Sequence, residues 1–253
     1  MRLSESVSNV MTPSPITATR EITSGRLREL FRENRFTMLP IVGPDQRLEG
    51  IITATDVLAA GLADDETVGS LIGADVVSVK LTSSIAHGAR TLSRAGVHHL
   101  VVVDDDERPV GVLSVVDVLR TVGELDYDHP ISTVMSEEVL KVDIGTTVAS
   151  VSELLAEAGV SSAAVEDGAE IVGAVSAEQL LSVTDDDEQI DDHLEAILWV
   201  DSSETLSQVA ALLIAEGGRR AYVRDDDGEL VGVVSTTDLT GYVASISEEL
   251  GEF

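Results

Sequence analysis

Apolar and polar positions follow one order along the chain, and that order recurs four times. Each round opens with a short apolar run: Ile16-Thr17-Ala18, Val76-Val77-Ser78-Val79, Val139-Leu140-Lys141-Val142 and Ile197-Leu198-Trp199-Val200. Their length and β-branched content predict a strand. An amphipathic stretch follows. Leu27, Leu30 and Phe31 in the first round fall on one face at helical spacing, as do Leu206, Val209, Leu212 and Leu213 in the fourth. Two further strands are then joined by acidic turns: Gly43-Pro44-Asp45-Gln46, Asp104-Asp105-Asp106-Glu107, Glu166-Asp167-Gly168 and Asp225-Asp226-Asp227-Gly228. A short helix closes the round. The unit is β-α-β-β-α, which places the chain in the α/β (α+β) class.

A motif marks the start of each closing helix: Gly, two or three apolar residues, Ser or Thr, then a carboxylate three positions on. It reads Gly50-Ile51-Ile52-Thr53-Ala54-Thr55-Asp56, Gly111-Val112-Leu113-Ser114-Val115-Val116-Asp117 and Gly232-Val233-Val234-Ser235-Thr236-Thr237-Asp238. The third copy, Gly173-Ala174-Val175-Ser176-Ala177-Glu178-Gln179, ends in an amide. The glycines recur at intervals of 61, 62 and 59 residues, too regular for chance. Upstream, Val10-Met11-Thr12, Leu71-Ile72-Gly73 and Val134-Met135-Ser136 are also in phase. A three-stranded unit has too small a core to stand alone, so the units are expected to pair. The boundaries fall at 1–62, 63–124, 125–184 and 185–253, giving two modules, 1–124 and 125–253. The polar stretch from Gly123 to Pro130 separates them, and Asp185-Asp186-Asp187-Glu188 reads as a solvated linker inside the second.

Composition narrows the partners. Hydrophobic residues make up 43% and aromatics 3%, so the core is built from Val, Leu, Ile and Ala. The net charge of −30 argues against duplex binding, because phosphates are repelled over most of the surface. Dense β-branched runs argue against an acidic disordered chain. Lysine is scarce, with Lys80 and Lys141 against 14 arginines. That balance resembles proteins of salt-accumulating halophiles and is preferred here to a basic protein partner. No cysteine is present, which excludes disulfides, thiolate metal sites and cysteine nucleophiles. The first residues carry no apolar signal core and no apolar run approaches a membrane span, so a cytoplasmic, non-membrane protein is expected.

A Ser or Thr followed three residues later by an acid is first of all a capping box. The hydroxyl accepts from an orphan backbone N–H at the helix start, and that role is expected at all four copies. Gln179 can serve the same box. A helix start also offers free N–H groups and a positive end, which suits an anion.

These in-phase repeats resemble CBS domains, named after cystathionine β-synthase, and the resemblance covers nearly the whole chain. CBS repeats associate in twos as Bateman modules. The resemblance therefore implies two modules, packed as one disc within the chain or formed by a homodimer. It also implies binding of AMP, ADP, ATP or S-adenosylmethionine in clefts between repeats, with no cofactor required. Such modules usually regulate an enzyme or transporter, and no catalytic or transport domain is legible in this chain. The four-repeat organisation resembles the gamma subunit of AMP-activated protein kinase. The expected role is a regulator that is not itself an enzyme and that signals to a protein partner by rearranging its modules. A structural interaction module with vestigial sites is the alternative.

Carried onto this chain, the resemblance assigns ribose binding to Asp56, Asp117 and Asp238, with Thr53, Ser114 and Ser235 helping to hold a phosphate. Gln179 offers no charged bidentate acceptor, so the third position is expected to be weak or empty. Bonds to charged groups contribute about 1.5–3 kcal/mol, roughly tenfold to a hundredfold in affinity. In the kinase gamma subunit, a His-Arg pair just before the second strand of the second and fourth repeats touches phosphates. The same phase here carries His98-His99 and Arg219-Arg220, whereas Phe36-Thr37 and Ser161-Ser162 offer no cation. Arginine's fork suits phosphate, and a histidine pair there would make binding pH-sensitive near neutrality. The bland readings are a strand-edge histidine pair and an arginine pair balancing Asp225 to Asp227. His87, His129 and His193 are scattered, so no zinc site is expected. Trp199 reads as core rather than as a platform for adenine.

Overall fold

The computed structural model describes all residues except 1–2, 35–37, 74–75, 125–128, 181–182, 184, 186 and 250–253. Phe36 and Thr37, part of the 123–130 stretch and Asp186 therefore lie outside the described residues. The first repeat contains β1 (Thr12–Pro13), α1 (Ser24–Asn34), β2 (Met38–Val42), β3 (Leu48–Thr53) and α2 (Ala54–Ala60). The second contains β4 (Ser78–Lys80), α3 (Ile85–Ala95), β5 (His99–Val103), β6 (Pro109–Ser114) and α4 (Val115–Glu124). The third contains β7 (Lys141–Asp143), α5 (Val148–Ala158), β8 (Ser162–Asp167), β9 (Glu170–Ser176) and α6 (Ala177–Leu180). The fourth contains β10 (Trp199–Asp201), α7 (Leu206–Glu216), β11 (Arg220–Arg224), β12 (Leu230–Ser235) and α8 (Thr236–Glu249). The mixed α/β class and the β-α-β-β-α order are as the sequence implies.

In repeats two, three and four the opening strand lies parallel to the middle strand, which pairs antiparallel with the third. Ser84, Thr147 and Thr205 cap α3, α5 and α7 by accepting the N–H three residues on, as small hydroxyl residues do at helix starts. The chain divides into two compact units, 1–126 with 239–253 and 127–238, the second division falling inside α8.

The opening strands differ from expectation. Ile16-Thr17-Ala18 forms no ladder, only a parallel bridge from Ala18 to Ile41. The other three start about two residues later than the apolar runs do. In the second unit the reason is visible: Val139 and Ile197 pack on Ala164, Ala174 and Tyr222 in a cluster drawn from the sheets of repeats three and four. In repeats three and four these residues ahead of the ladder fill the space between paired sheets, whereas Val77 in repeat two is exposed.

The segment ahead of each repeat crosses to its neighbour. β1 adds antiparallel to β6 with Pro13 opposite Gly111, so the sheet of repeat two has the order β1-β6-β5-β4. Ile72 returns the exchange: it belongs to the core of repeat one with Leu27, Leu39, Ile41 and Ile52. In the second unit, Ser136 exchanges two backbone bonds of 2.9 Å with Val233 in repeat four. Glu195 exchanges bonds of 2.8 and 3.0 Å with Ala174 in repeat three. These contacts explain the motif glycine. A Cβ on Gly50 would stand 2.1 Å from Ile72 Cγ2, and one on Gly232 would stand 2.6 Å from Met135 Sδ and 3.0 Å from the Ser136 carbonyl oxygen. Gly111 and Gly173 meet Met11 and Leu194 in the same way.

Asp185 and Asp187 are exposed, the Glu188 carbonyl accepts the Val148 N–H at the start of α5, and Ile190, two residues on, is fully buried in the core of repeat three. The acidic turns are held by their own carboxylates. Asp104 Oδ1 accepts the N–H groups of Asp106 and Arg108, and Asp225 Oδ1 those of Asp227 and Glu229. Trp199 takes its core position beside Tyr222, ring centroids 6.4 Å apart.

Two stability predictions follow from this packing. Gly50→Ala is expected to cost about 1–3 kcal/mol, an overpacking penalty. Denaturant unfolding of Gly50→Ala, Ile72→Ala and the double variant should show costs well below additive, because removing Ile72 makes room for the new methyl. Tyr222 is the second case. Among the described residues no group meets hydrogen-bond geometry with its buried hydroxyl. Burial pushes that hydroxyl above the ordinary phenol range, while nearby Ser162 and Arg220 pull it down and Glu195 adds a smaller push upward. A raised phenol contributes stability that is fully present below about pH 10 and is lost as pH rises through the folded value. Tyr222→Phe should change neutral-pH stability by less than about 1 kcal/mol. Its thermal unfolding should lack part of the wild-type decline above about pH 10.

Candidate functional site

Three of the four motif copies form the reciprocal cap in full. Asp56 donates its N–H to Thr53 Oγ1 at 3.2 Å, while its Oδ2 accepts the Thr53 N–H at 2.8 Å and the Thr53 hydroxyl at 2.7 Å. Ser114 and Asp117 repeat the arrangement at 3.2, 2.9 and 2.6 Å. Ser235 and Asp238 repeat it at 3.2, 2.8 and 2.7 Å. In the third copy Gln179 donates its N–H to Ser176 Oγ at 3.4 Å. The cap consumes one carboxylate oxygen, Oδ2, and leaves Oδ1 outside it.

The fate of that second oxygen separates the copies. Asp56 and Asp238 are exposed, and among the described residues nothing bonds to Oδ1 of either. Asp117 is different: its side chain is only 8% exposed, and Arg120 donates to its Oδ1 at 3.2 Å. Both oxygens of Asp117 are thus engaged within the protein. Arg120 sits three residues on, a spacing at which helix side chains meet.

The residue opening each middle strand lies directly across the ladder from the motif hydroxyl. The pairs are Met38 with Thr53, His99 with Ser114, Ser162 with Ser176, and Arg220 with Ser235. The preceding residue is tied to the closing helix: His98, Ser161 and Arg219 each accept, through the carbonyl, the N–H of the first helical residue. The fold therefore brings both basic pairs beside the motif.

A cleft of about 720 Å³ opens in the second unit. Its lining includes Ser176, Glu178, Gln179, Glu195, Arg219 and Arg220. Arg219 and Arg220 thus face the cleft whose motif position is Gln179. Arg219 does not balance the Asp225–Asp227 turn; it pairs with Glu178. Arg220 donates to the Ser161 carbonyl at 3.4 Å. Glu195 reaches this cleft through the exchanged segment ahead of repeat four, and its carboxylate lies 3.4 Å from Ser176 Oγ. Nothing local in the sequence marks Glu178 or Glu195 as cleft residues. Arg120 was legible from its spacing to Asp117.

Among the described residues no group of three or more His, Cys, Asp or Glu is placed to hold a metal ion. No helix among them is long and apolar enough to cross a membrane.

Repeats of β-α-β-β-α order that exchange segments in pairs, with a motif hydroxyl at the start of each closing helix, define a class of paired-repeat proteins. The chain belongs to the CBS domain family, which it matches at residues 7–63, 68–124, 131–186 and 193–245. Two solved structures share the fold over nearly all of it. Protein MJ1225 of Methanocaldococcus jannaschii, described as a proposed archaeal homologue of g-AMPK, has a TM-score of 0.75 at 15% identity, covering 94% of this chain and 99% of that one. An uncharacterized conserved protein of Pyrococcus horikoshii has a TM-score of 0.72 at 21% identity, with the same coverages of 94% and 99%. At these identities the likeness speaks to the fold alone. The chain is also 27% identical over 117 residues to an L-aspartate semialdehyde sulfurtransferase of Methanocaldococcus jannaschii, 46% of this chain and 23% of that relative. The match thus spans under a quarter of that enzyme.

The cap itself can be tested. Ser235→Ala removes the oxygen that accepts the Asp238 N–H and should lower stability by about 0.5–2 kcal/mol in chemical denaturation.

Proposed function

We propose that this CBS-domain chain is a regulatory protein that binds an adenosyl ligand between paired repeats and signals to a protein partner by rearranging them. The observation that carries this reading is that nothing among the described residues bonds to Oδ1 of Asp56 or of Asp238, each held by a fully formed cap at a helix start. A carboxylate with one oxygen locked and the other open is a preorganised acceptor for ribose hydroxyls. Beside it, Thr53 and Ser235 stand at the positive end of a helix, where an anion is favoured. His98, His99, Arg219 and Arg220 are the proposed phosphate contacts. Ser114 and Asp117 form the same cap, but Arg120 holds the outer oxygen, so in this reading repeat two binds more weakly than repeats one and four. Signalling requires that the ligand favour one arrangement of the repeats over the other.

A second reading, an interaction module with vestigial sites, is favoured by two observations: Gln179 in place of the acid, and Arg120 on Asp117. Calorimetric titration in molar KCl with AMP, ADP, ATP and S-adenosylmethionine separates the two. The regulatory reading expects micromolar binding of one ligand. Asp56→Asn or Asp238→Asn should weaken it by about tenfold or more, and Asp117→Asn should weaken it less. Absence of heat from every ligand, with all proteins folded, leaves the interaction module.

A further inference from the structure

Glu178 and Arg219 stand in the same cleft and come from different repeats. Glu178 lies in the first turn of α6, Arg219 immediately before β11, and 41 positions separate them in the chain. Both side chains remain accessible, at 61% and 54% exposure. The cleft lining holds three glutamates, Glu178, Glu195 and Glu216, against two arginines. Arg220 is turned toward the Ser161 carbonyl. Arg219 is the cleft cation that meets a carboxylate of another repeat, through one nitrogen of its guanidinium. Carboxylate and phosphate oxygens compete for the same planar set of N–H donors.

We propose that Glu178 is an internal anion that competes with the ligand's phosphate for Arg219, and so sets the concentration at which the repeat three–four cleft responds. The proposal rests on the adenosyl-ligand reading above. It also supplies the differential contact that such a sensor needs. An ion pair between exposed side chains contributes little, so it tunes phosphate entry without blocking it. A phosphate that takes Arg219 releases Glu178 and removes a tie between the closing helix of repeat three and the middle strand of repeat four. Ligand binding and the relative freedom of the two repeats are thereby coupled through one contact. Gln179, next in the chain, carries no charge and cannot replace Glu178 in this role.

The test uses the full chain and two probes, AMP and inorganic pyrophosphate, the second needing no adenosyl recognition. Calorimetry compares wild type, Glu178→Gln and Arg219→Gln, with thermal melts establishing that each variant is folded. Glu178→Gln should bind both probes about two- to fivefold more tightly, and Arg219→Gln should bind both more weakly. Unchanged or weaker pyrophosphate binding by Glu178→Gln overturns the proposal. If AMP binds but both probes bind wild type and Glu178→Gln alike, the competition is wrong and the adenosyl reading stands. If pyrophosphate binding tightens but AMP binds no variant, the competition stands and the adenosyl reading falls. If neither probe binds any variant, both fall.

Discussion

The contact on which the structure depends is the seat of each crossing segment on the motif glycine of the neighbouring repeat. Met11, Ile72 and Met135 occupy the space a Cβ would take, and Leu194 crowds it at 3.1 Å. Beside three of them, Met11, Leu194 and Met135, backbone bonds extend or bridge the last strand of the partner repeat. An edge strand left bare invites pairing with another chain, and this arrangement covers it from within the pair. It also makes each repeat incomplete alone. The core of repeat one contains Val68 and Ile72 from the segment ahead of repeat two, and the core of repeat three contains Ile190 from the segment ahead of repeat four. A three-stranded sheet with one helix stripe buries too little to offset its ordering entropy, so the borrowed residues are part of the fold and not an addition to it.

That exchange also builds the cleft. Leu194 seats on Gly173, and the next four residues, Glu195 to Leu198, line the cleft beside Ser176 and Gln179. One wall is therefore positioned by the contact that holds the pair together. A change in the cleft acts on the pairing contact directly, without a longer path through the core.

Local features were legible in the sequence. The motif, the helix stripes and the acidic turns each lie within a few residues, and period and turn chemistry identify them. The capping role of Thr53, Ser114 and Ser235 follows from spacing alone. What the sequence left open is non-local. The apolar run Ile16–Ala18 looks like its three counterparts, yet it meets its neighbour only at Ala18. Arg219-Arg220 and Gln179 belong to different repeats by period, but they share a cleft because paired repeats face one another. The phase in which two residues occur says which positions are equivalent, not which are neighbours. Arg120 is the exception: its three-residue spacing from Asp117 on one helix places it within reach of that carboxylate.

Scarcity of positive charge gives these pairings their meaning. In a chain of net charge −30, Arg20, Arg28, Lys80, Arg120, Arg219 and Arg224 each meet a carboxylate of the protein. An anionic ligand therefore competes with the protein's own acids for the cations it needs. The competition is winnable because most of these side chains are exposed, and exposed pairs are worth roughly 0–1 kcal/mol. Salt weakens them further, since screening at molar ionic strength acts within about 3 Å. A phosphate brings more charge and more acceptor oxygens than one carboxylate, so it can displace one from an exposed arginine. Affinity in such a protein is a difference between two occupied states of the same arginine. On the proposed reading, the carboxylates that pair with these cations set the threshold for an anion entering the cleft.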